Sequence, residues 1–118
     1  MSHPSTRTRC AIACEYHGCP NAAAMIALLP GPGPYGTLTV DGFRAGTEVA
    51  QPLSDPRLAG AVQAAGPDLA ANLYDRDEAL APFWCPTCER AYCVGHWRLA
   101  EGRSGHLGTC PYGHRRPL

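Results

Sequence analysis

Besides the single His106, the last third of this 118-residue chain carries six cysteine and histidine side chains in three closely spaced pairs. The pair spacings are Cys-x2-Cys, Cys-x2-His and Cys-x3-His. A short loop lets both side chains of such a pair reach one tetrahedral ion, and Zn²⁺ takes four cysteine or histidine ligands in a closed structural site. The pattern therefore predicts zinc binding. The three pairs are Cys85 with Cys88, Cys93 with His96, and Cys110 with His114.

Six ligands are more than one ion needs and two fewer than two ions need, so a fourth pair is expected elsewhere. Near the N-terminus, Cys14 and Cys19 flank a short segment that contains Gly18, and we predict that they complete the set. An alternative first pair is Cys10 with Cys14. A further alternative is that these three cysteines and His17 hold one ion by themselves, which would leave one member of the third pair unused.

Four pairs can form two sites in sequence, first with second and third with fourth, or interleaved, first with third and second with fourth. Only four residues separate the second pair from the third. We favour the interleaved arrangement, a cross-brace in which each site has three cysteines and one histidine. Its predicted ligand sets are Cys14, Cys19, Cys93 and His96 for one ion, and Cys85, Cys88, Cys110 and His114 for the other.

These residues resemble the binuclear zinc fingers of the RING, FYVE and PHD type, which are treble clefs with interleaved ligand pairs. The stretch from Tyr92 to Trp97 looks like the aromatic-Cys-x2-Cys/His segment that begins their central helix. The stretch from Cys110 to Arg115 looks like the closing Cys-Pro-x-Cys-Arg of RING ubiquitin ligases. The resemblance implies a small α+β domain stabilised by two Zn²⁺ ions, a binuclear cross-brace treble clef with a β-hairpin and a helical insert.

In RING ligases, a cation just after the last ligand contacts both the conjugating enzyme and its bound ubiquitin, and Arg115 occupies that place here. The same resemblance implies that Ile12, Trp97 and Pro111 line the groove for the partner. Such a protein has no nucleophile of its own and acts by positioning a charged conjugating enzyme. The leading hypothesis is therefore a RING-like ligase or adaptor in a prokaryotic ubiquitin-like conjugation pathway.

Two other classes of function fit a two-zinc module: a non-catalytic protein-interaction zinc finger and, less well, a nucleic-acid-binding zinc module. The ten basic residues, all arginine, balance ten acidic residues, so the chain has no net attraction to nucleic acid or to an anionic membrane. Hydrolytic zinc chemistry needs an open coordination position, whereas the ligand count closes both sites. We therefore expect a protein partner.

Length and composition indicate one loop-rich domain, since 12 proline and 13 glycine residues occur among 118. Residues 1–9 are predicted to form a disordered arm, and residues 10–118 a single two-zinc domain in which residues 21–84 are an insert between the first and second ligand pairs. The N-terminus lacks the apolar core of a signal peptide, and seven cysteines, an odd number, suit a reducing compartment. These features predict a cytoplasmic location.

The first half of the insert contains strand signals. The apolar run of residues 22–29 fits either a buried strand or a helical turn, and the Pro-Gly alternation of residues 30–34 ends it. Residues 37–40 have the β-branched character of a strand, and residues 43–49 are predicted to return as the second strand of a hairpin.

The second half of the insert contains helix signals. Asp55 followed by Pro56 is typical of a helix start, with the acid as N-cap and proline at the first helical position. Gly66 and Pro67 end this helix. Residues 68–80 predict a second helix, because leucines recur there at helical spacing.

Overall fold

The computed structural model describes residues 8–102 and 105–118. Residues 8–52 form a four-stranded antiparallel sheet with its strands in chain order. Its second strand is apolar throughout and lies inside the sheet, where it pairs with a neighbour on each side. The strands are β1 (Thr8–Ala13), β2 (Ala22–Leu29), β3 (Thr37–Asp41) and β4 (Val49–Pro52).

Helix α1 (Pro56–Ala64) begins where the sequence predicts it. The Asp55 carboxylate accepts hydrogen bonds from the backbone N–H groups of Arg57 and Leu58, at 2.9 and 3.5 Å. These bonds satisfy two of the N–H groups that a helix start leaves without an internal partner. Ala65 caps the C-terminal end of the helix in a left-handed conformation with φ of 50°.

Helix α2 (Leu69–Arg76) is shorter than predicted. Asp77 is extended, with φ of −166°, and a separate 3₁₀ helix follows at Glu78–Leu80. The prediction of one continuous helix over residues 68–80 is therefore wrong after Arg76. The leucines of this stretch, Leu69, Leu73 and Leu80, are nevertheless buried. No helix in the described part of the chain is long and apolar enough to cross a membrane.

Helix α1 covers one face of the four-stranded sheet, where it contacts β1 and β2. Successive side chains in a strand point to opposite faces, and the pairing register puts Cys10, Ile26 and Val40 in one row across β1, β2 and β3. Ile26 and Val40 are fully buried, and Cys10 Sγ lies 4.0 Å from the carbonyl oxygen of Val62 in α1. This row therefore belongs to the helix-covered face; the opposite side is called the outer face below.

The rest of the chain forms two smaller antiparallel sheets, one of two strands and one of three. A 3₁₀ turn at Val94–His96 lies between them. The two-stranded sheet consists of β5 (Trp84–Cys85) and β6 (Arg90–Ala91), and the three-stranded sheet of β7 (Arg98–Gly102), β8 (Gly105–Thr109) and β9 (Arg115–Pro117).

Arg116 ties β9 to the segment that follows α2. Its side chain is only 8% exposed, and Nη1 donates hydrogen bonds to the carbonyl oxygens of Ala81 and Trp84 at 2.7 and 2.8 Å. Nη2 donates to the carbonyl oxygen of Glu78 at 3.3 Å. One planar guanidinium thus binds three carbonyls that lie more than thirty residues away in the chain.

Several predicted strand boundaries change. Residues 22–29 form a strand, but the return strand predicted over residues 43–49 is wrong, because β4 begins only at Val49. Gly42 and Gly46 have positive φ values of 84° and 91°, which place turns in the segment between β3 and β4. The expected disordered arm of residues 1–9 overlaps β1 at its last two residues, and its residues 1–7 lie outside the described part of the chain.

The third ligand pair is followed by a strand. The resemblance to RING-type fingers implies that a central helix begins within the stretch from Tyr92 to Trp97, whereas the chain forms one 3₁₀ turn there and then enters β7. The architecture is thus a small α+β fold with β-hairpins, two helices and two Cys/His clusters.

Candidate metal centres

Four cysteine and histidine side chains from two distant segments meet in what is called here the first centre. Their ligand atoms all lie within 4.8 Å of one another. The Sγ atoms of Cys19 and Cys93 are 3.8 Å apart. His96 Nδ1 lies 3.6 Å from Cys14 Sγ and 3.3 Å from Cys93 Sγ. The first ligand pair is thereby joined to the third.

The second centre joins the second ligand pair to the fourth, and its ligand atoms likewise lie within 4.8 Å of one another. The Sγ atoms of Cys88 and Cys110 are 3.8 Å apart. His114 Nδ1 lies 3.7, 3.2 and 3.4 Å from the Sγ atoms of Cys85, Cys88 and Cys110. Both clusters thus follow the interleaved grouping, and the prediction of two metal sites is confirmed.

The distances between ligand atoms fit tetrahedral zinc. Zn–S and Zn–N bonds of about 2.3 and 2.1 Å at tetrahedral angles require S···S separations of about 3.8 Å and S···N separations of about 3.6 Å. One S···S distance in each cluster is 3.8 Å, five S···N distances run from 3.2 to 3.7 Å, and all ligand atoms of a cluster lie within 4.8 Å of one another. Each cluster can therefore hold one Zn²⁺ ion, with Nδ1 as the histidine ligand atom.

Glu15 holds the first centre in place. Its backbone N–H donates to the carbonyl oxygen of Ala91 at 2.8 Å, and its side-chain Oε1 accepts from the N–H of Ala91 at 2.7 Å. The loop between the first two ligands closes with a hydrogen bond from Cys19 N to the Tyr16 carbonyl oxygen, and Gly18 supplies a positive φ of 79°. The N-terminal ligand loop is thereby docked on β6, two residues before Cys93.

Backbone N–H groups point at the sulfur atoms of the second centre. Cys110 Sγ accepts hydrogen bonds from the N–H groups of Tyr112 and His114 at 3.3 and 3.4 Å. Cys85 Sγ accepts one from the N–H of Cys88 at 3.4 Å. Donors directed at sulfur favour the thiolate, which is the metal-binding form.

Burial and hydrogen bonding move the thiol pKa values in different directions. Burial raises the pKa of Cys85 to about 11. Burial also opposes ionisation of Cys93, but hydrogen bonds, led by that with His96, outweigh it and lower its pKa to about 7. At Cys110 burial is likewise outweighed, by donors in its own loop, and the pKa is lowered. Each centre thus contains a thiol whose pKa is lowered, which favours the thiolate, the metal-binding form.

Aromatic rings connect the two centres. Tyr16 stacks on the His96 ring, with centroids 4.2 Å apart and an interplanar angle of 26°. Tyr112, in the last ligand loop, lies 6.1 Å from both Tyr16 and Tyr92. Tyr92 is fully buried, and burial, followed by interactions with Cys88, raises its pKa. The ring contacts fix the orientation of a histidine ligand and keep the two centres in one packed unit.

The alternative ligands near the N-terminus lie outside both clusters. Cys10 is on the helix-covered face of the sheet against Val62, and burial raises its pKa. His17 is exposed on the loop between Cys14 and Cys19. The geometry therefore groups Cys14 and Cys19 with the third pair, and neither alternative first set forms a cluster among the described residues.

The four predicted partner-binding residues differ in exposure. Arg115 is exposed on β9, and Ile12 and Pro111 are half-buried. Trp97 is buried, and its Nε1 donates to the carbonyl oxygens of Phe83 and Tyr92 at 3.3 and 3.1 Å. Its indole is therefore mainly a core side chain.

The residues that the sequence interpretation missed are Glu15, Tyr16 and Arg116. For Glu15 and Tyr16 the sequence position could have indicated a role. Both lie between two predicted ligands, where a side chain must contact the site or the loop that closes it. Arg116 gave no such signal, because its carbonyl partners come from a distant turn.

Residues 5–118 match the profile of DUF8328, a domain of unknown function. The chain belongs to this family. No curated protein and no solved structure matches it significantly. The evidence for two metal centres in this DUF8328 domain is therefore its own geometry.

A cleft of about 430 Å³ lies between the two centres of the DUF8328 domain. It is bordered by residues of both ligand sets and by side chains of the three-stranded sheet. The pairing register aligns Arg98, Thr109 and Arg115 in one row across β7, β8 and β9, so their side chains share a face. Arg98 and Arg115 are both exposed on this face of the sheet. Arg98 and Thr109 also border the cleft.

Proposed function

We propose that this DUF8328 domain is a zinc-stabilised interaction module that binds a protein partner along the cleft between its two centres. The observation that carries the proposal is the closed ligand set of each cluster. Four protein side chains complete a tetrahedral site and leave no coordination position for a substrate or a water nucleophile. The metal then has a structural role, and function resides in the surface that it shapes.

The composition of the cleft supports a protein partner. Tyr112 is 57% exposed beside it, and Pro111 and Arg98 border it. Exposed tyrosine and arginine side chains are enriched at the energetic centres of protein interfaces. The backbone under these side chains is held by both metal centres, so little order has to be gained on binding.

Site-specific photo-crosslinking in cells tests this proposal. A photoreactive residue replaces Tyr112, and a matched control replaces exposed Arg57 on α1. We expect a discrete protein adduct from position 112 that Arg98→Glu weakens, and none of the same mass from position 57. Absence of an adduct at position 112, or equal adducts at both positions, would overturn the proposal.

A second candidate is the more specific RING-like ligase or adaptor, with a ubiquitin-like conjugating enzyme as partner. Two observations favour it: the interleaved grouping of the ligands, and an exposed Arg115 directly after the last ligand. Trp97 and Pro111 also border the cleft. The strand after His96 takes the place of the central helix of RING-type fingers, so the contact with the enzyme would be made by the ligand loops alone.

A reconstituted conjugation assay separates the two candidates. If the domain is a ligase, Arg115→Ala abolishes transfer while zinc content and thermal stability stay unchanged, and Arg57→Ala transfers at the wild-type rate. Full transfer by Arg115→Ala excludes this role for the arginine. A domain that binds its partner but never stimulates transfer is an interaction module only.

A further inference from the structure

The outer face of the four-stranded sheet is built from small and apolar side chains. Helix α1 lies on the opposite face, against Cys10 and its row. Met25, on the inner strand β2, is 41% exposed. Pairing places the residues of the outer face in rows across the strands. Among them are Ala11, Met25, Ala27, Leu29, Thr39 and Ala50.

Only two charged residues occur in the four strands, and both are on this outer face. Arg9 is on the edge strand β1, in the row of Ala27 and Thr39. Asp41 is on β3, in the adjacent row with Met25. Both are exposed, and neither has a salt-bridge partner among the described residues. One cation and one anion therefore stand on opposite sides of an apolar centre, about 12 Å apart from strand and residue spacings.

This arrangement of charge is complementary to itself. In a twofold dimer, a contact between residue i and residue j of the partner is always accompanied by the reciprocal contact. A twofold axis parallel to the sheet, midway between Arg9 and Asp41, brings each arginine opposite the aspartate of the other copy. Met25 lies near that axis, where a flexible thioether can fill the gap between two sheets.

We propose that the outer face is the interface of a homodimer, in which two sheets pack face to face through Met25 and two reciprocal Arg9–Asp41 ion pairs. The small side chains around Met25 allow the spacing of about 10 Å that packed sheets adopt. The inference is independent of the cleft between the metal centres, which lies on other elements of the chain.

The size of the face sets the expected strength of the dimer. Four strands about 4.8 Å apart and five residues of about 3.4 Å give a face of about 19 by 17 Å. That is smaller than the roughly 800 Å² that each partner contributes to a standard interface. The dimer is therefore a weak one, with a dissociation constant in the micromolar range or above.

Analytical ultracentrifugation of charge-reversal variants tests the dimer, with the full, zinc-loaded chain in every sample. We expect the wild type to dimerise in a concentration-dependent way. Arg9→Asp and Asp41→Arg each turn both ion pairs into like-charge contacts and weaken self-association by about tenfold or more. An equimolar mixture of the two variants restores opposite charges at both contacts, so it dimerises like the wild type.

Arg57→Asp is the matched control, because it makes the same charge change on α1, on the covered side of the sheet. Zinc content and circular dichroism confirm that each variant is folded. The proposal is overturned if the wild type stays monomeric at every protein concentration measured. It is also overturned if Arg9→Asp dimerises as tightly as Arg57→Asp, or if mixing the two charge variants restores nothing.

Discussion

At the scale of single residues, the backbone direction decides which cysteine binds metal. Cys10 is inside β1 and points into the helix-covered face, whereas Cys14 follows the end of that strand, where its N–H donates to the Asn21 carbonyl oxygen. Both were candidates from spacing alone. Alternation alone would put residues 10 and 14 on the same face. The register shift between Ile12 and Ala13 and the end of β1 at Ala13, which spacing does not reveal, separate the ligand from the core thiol.

Serine substitutions of these two cysteines test that assignment. Cys14→Ser removes one ligand of the first centre and leaves one tightly bound zinc per chain. Cys10→Ser retains both ions and costs only about 1–2 kcal/mol of stability, because it places a hydroxyl where burial is partial. Elemental analysis of the purified variants gives the answer; retention of two ions by Cys14→Ser would refute the grouping.

Arg116 provides a second prediction for one residue. Arg116→Ala removes one hydrogen-bond donor from each of three carbonyl oxygens, two of them in buried residues, and we expect a loss of about 2–4 kcal/mol in the free energy of unfolding. The adjacent Arg115 is exposed, and Arg115→Ala is expected to change stability by less than about 0.5 kcal/mol. Chemical denaturation of the zinc-loaded variants measures both, and equal losses would contradict the clamp.

At the scale of elements, local signals were predictable and long-range pairing was not. The start of α1 follows from Asp55 and Pro56, because the cap acts within one turn. The return strand of the β3 hairpin begins at Val49 instead of residue 43, since a wide turn with two left-handed glycines precedes it. Strand β1 is not apparent from the sequence, because it has only six residues and is defined by its long-range pairing with β2.

The two aspartates that precede the helices make a matched pair. Asp55 accepts two backbone hydrogen bonds at the start of α1, whereas Asp68, before α2, makes no side-chain cap bond. Asp55→Ala should therefore cost about 1 kcal/mol, and Asp68→Ala much less. Arg76→Ala removes the 3.5 Å ion pair with Asp55 but keeps the cap, so its effect on stability measures the contribution of the ion pair alone. Equal losses for both aspartate variants in thermal denaturation would contradict the assignment.

At the scale of the whole molecule, the metal centres and the sheet share one hydrophobic core. Buried ligands of both centres pack in the same cluster as Ile26 and Leu38 of the sheet and Leu73 of α2. Spacing predicted the three ligand pairs of the last third, because a short loop between two ligands is local, but it left the first pair and the combination of pairs open among a few alternatives. It did not reveal how residues 21–84 pack, because strand register depends on partners distant in the chain.

Metal removal should therefore affect the whole domain. Structural zinc contributes about 10–16 kcal/mol in comparable sites, which is as large as the net stability of a small domain, about 5–15 kcal/mol. A strong chelator is expected to abolish the near-ultraviolet circular dichroism of the buried Trp84 and Trp97 and to unfold the sheet in the same transition. Persistence of a fully folded sheet without metal would contradict a shared core.

The most direct test of the central claim is the zinc content of the purified protein, measured together with the zinc X-ray absorption spectrum. Two closed centres, each with three cysteines and one histidine, predict two ions per chain and an average of three sulfur and one nitrogen neighbours. One ion per chain, or a first shell that contains oxygen, would contradict the account.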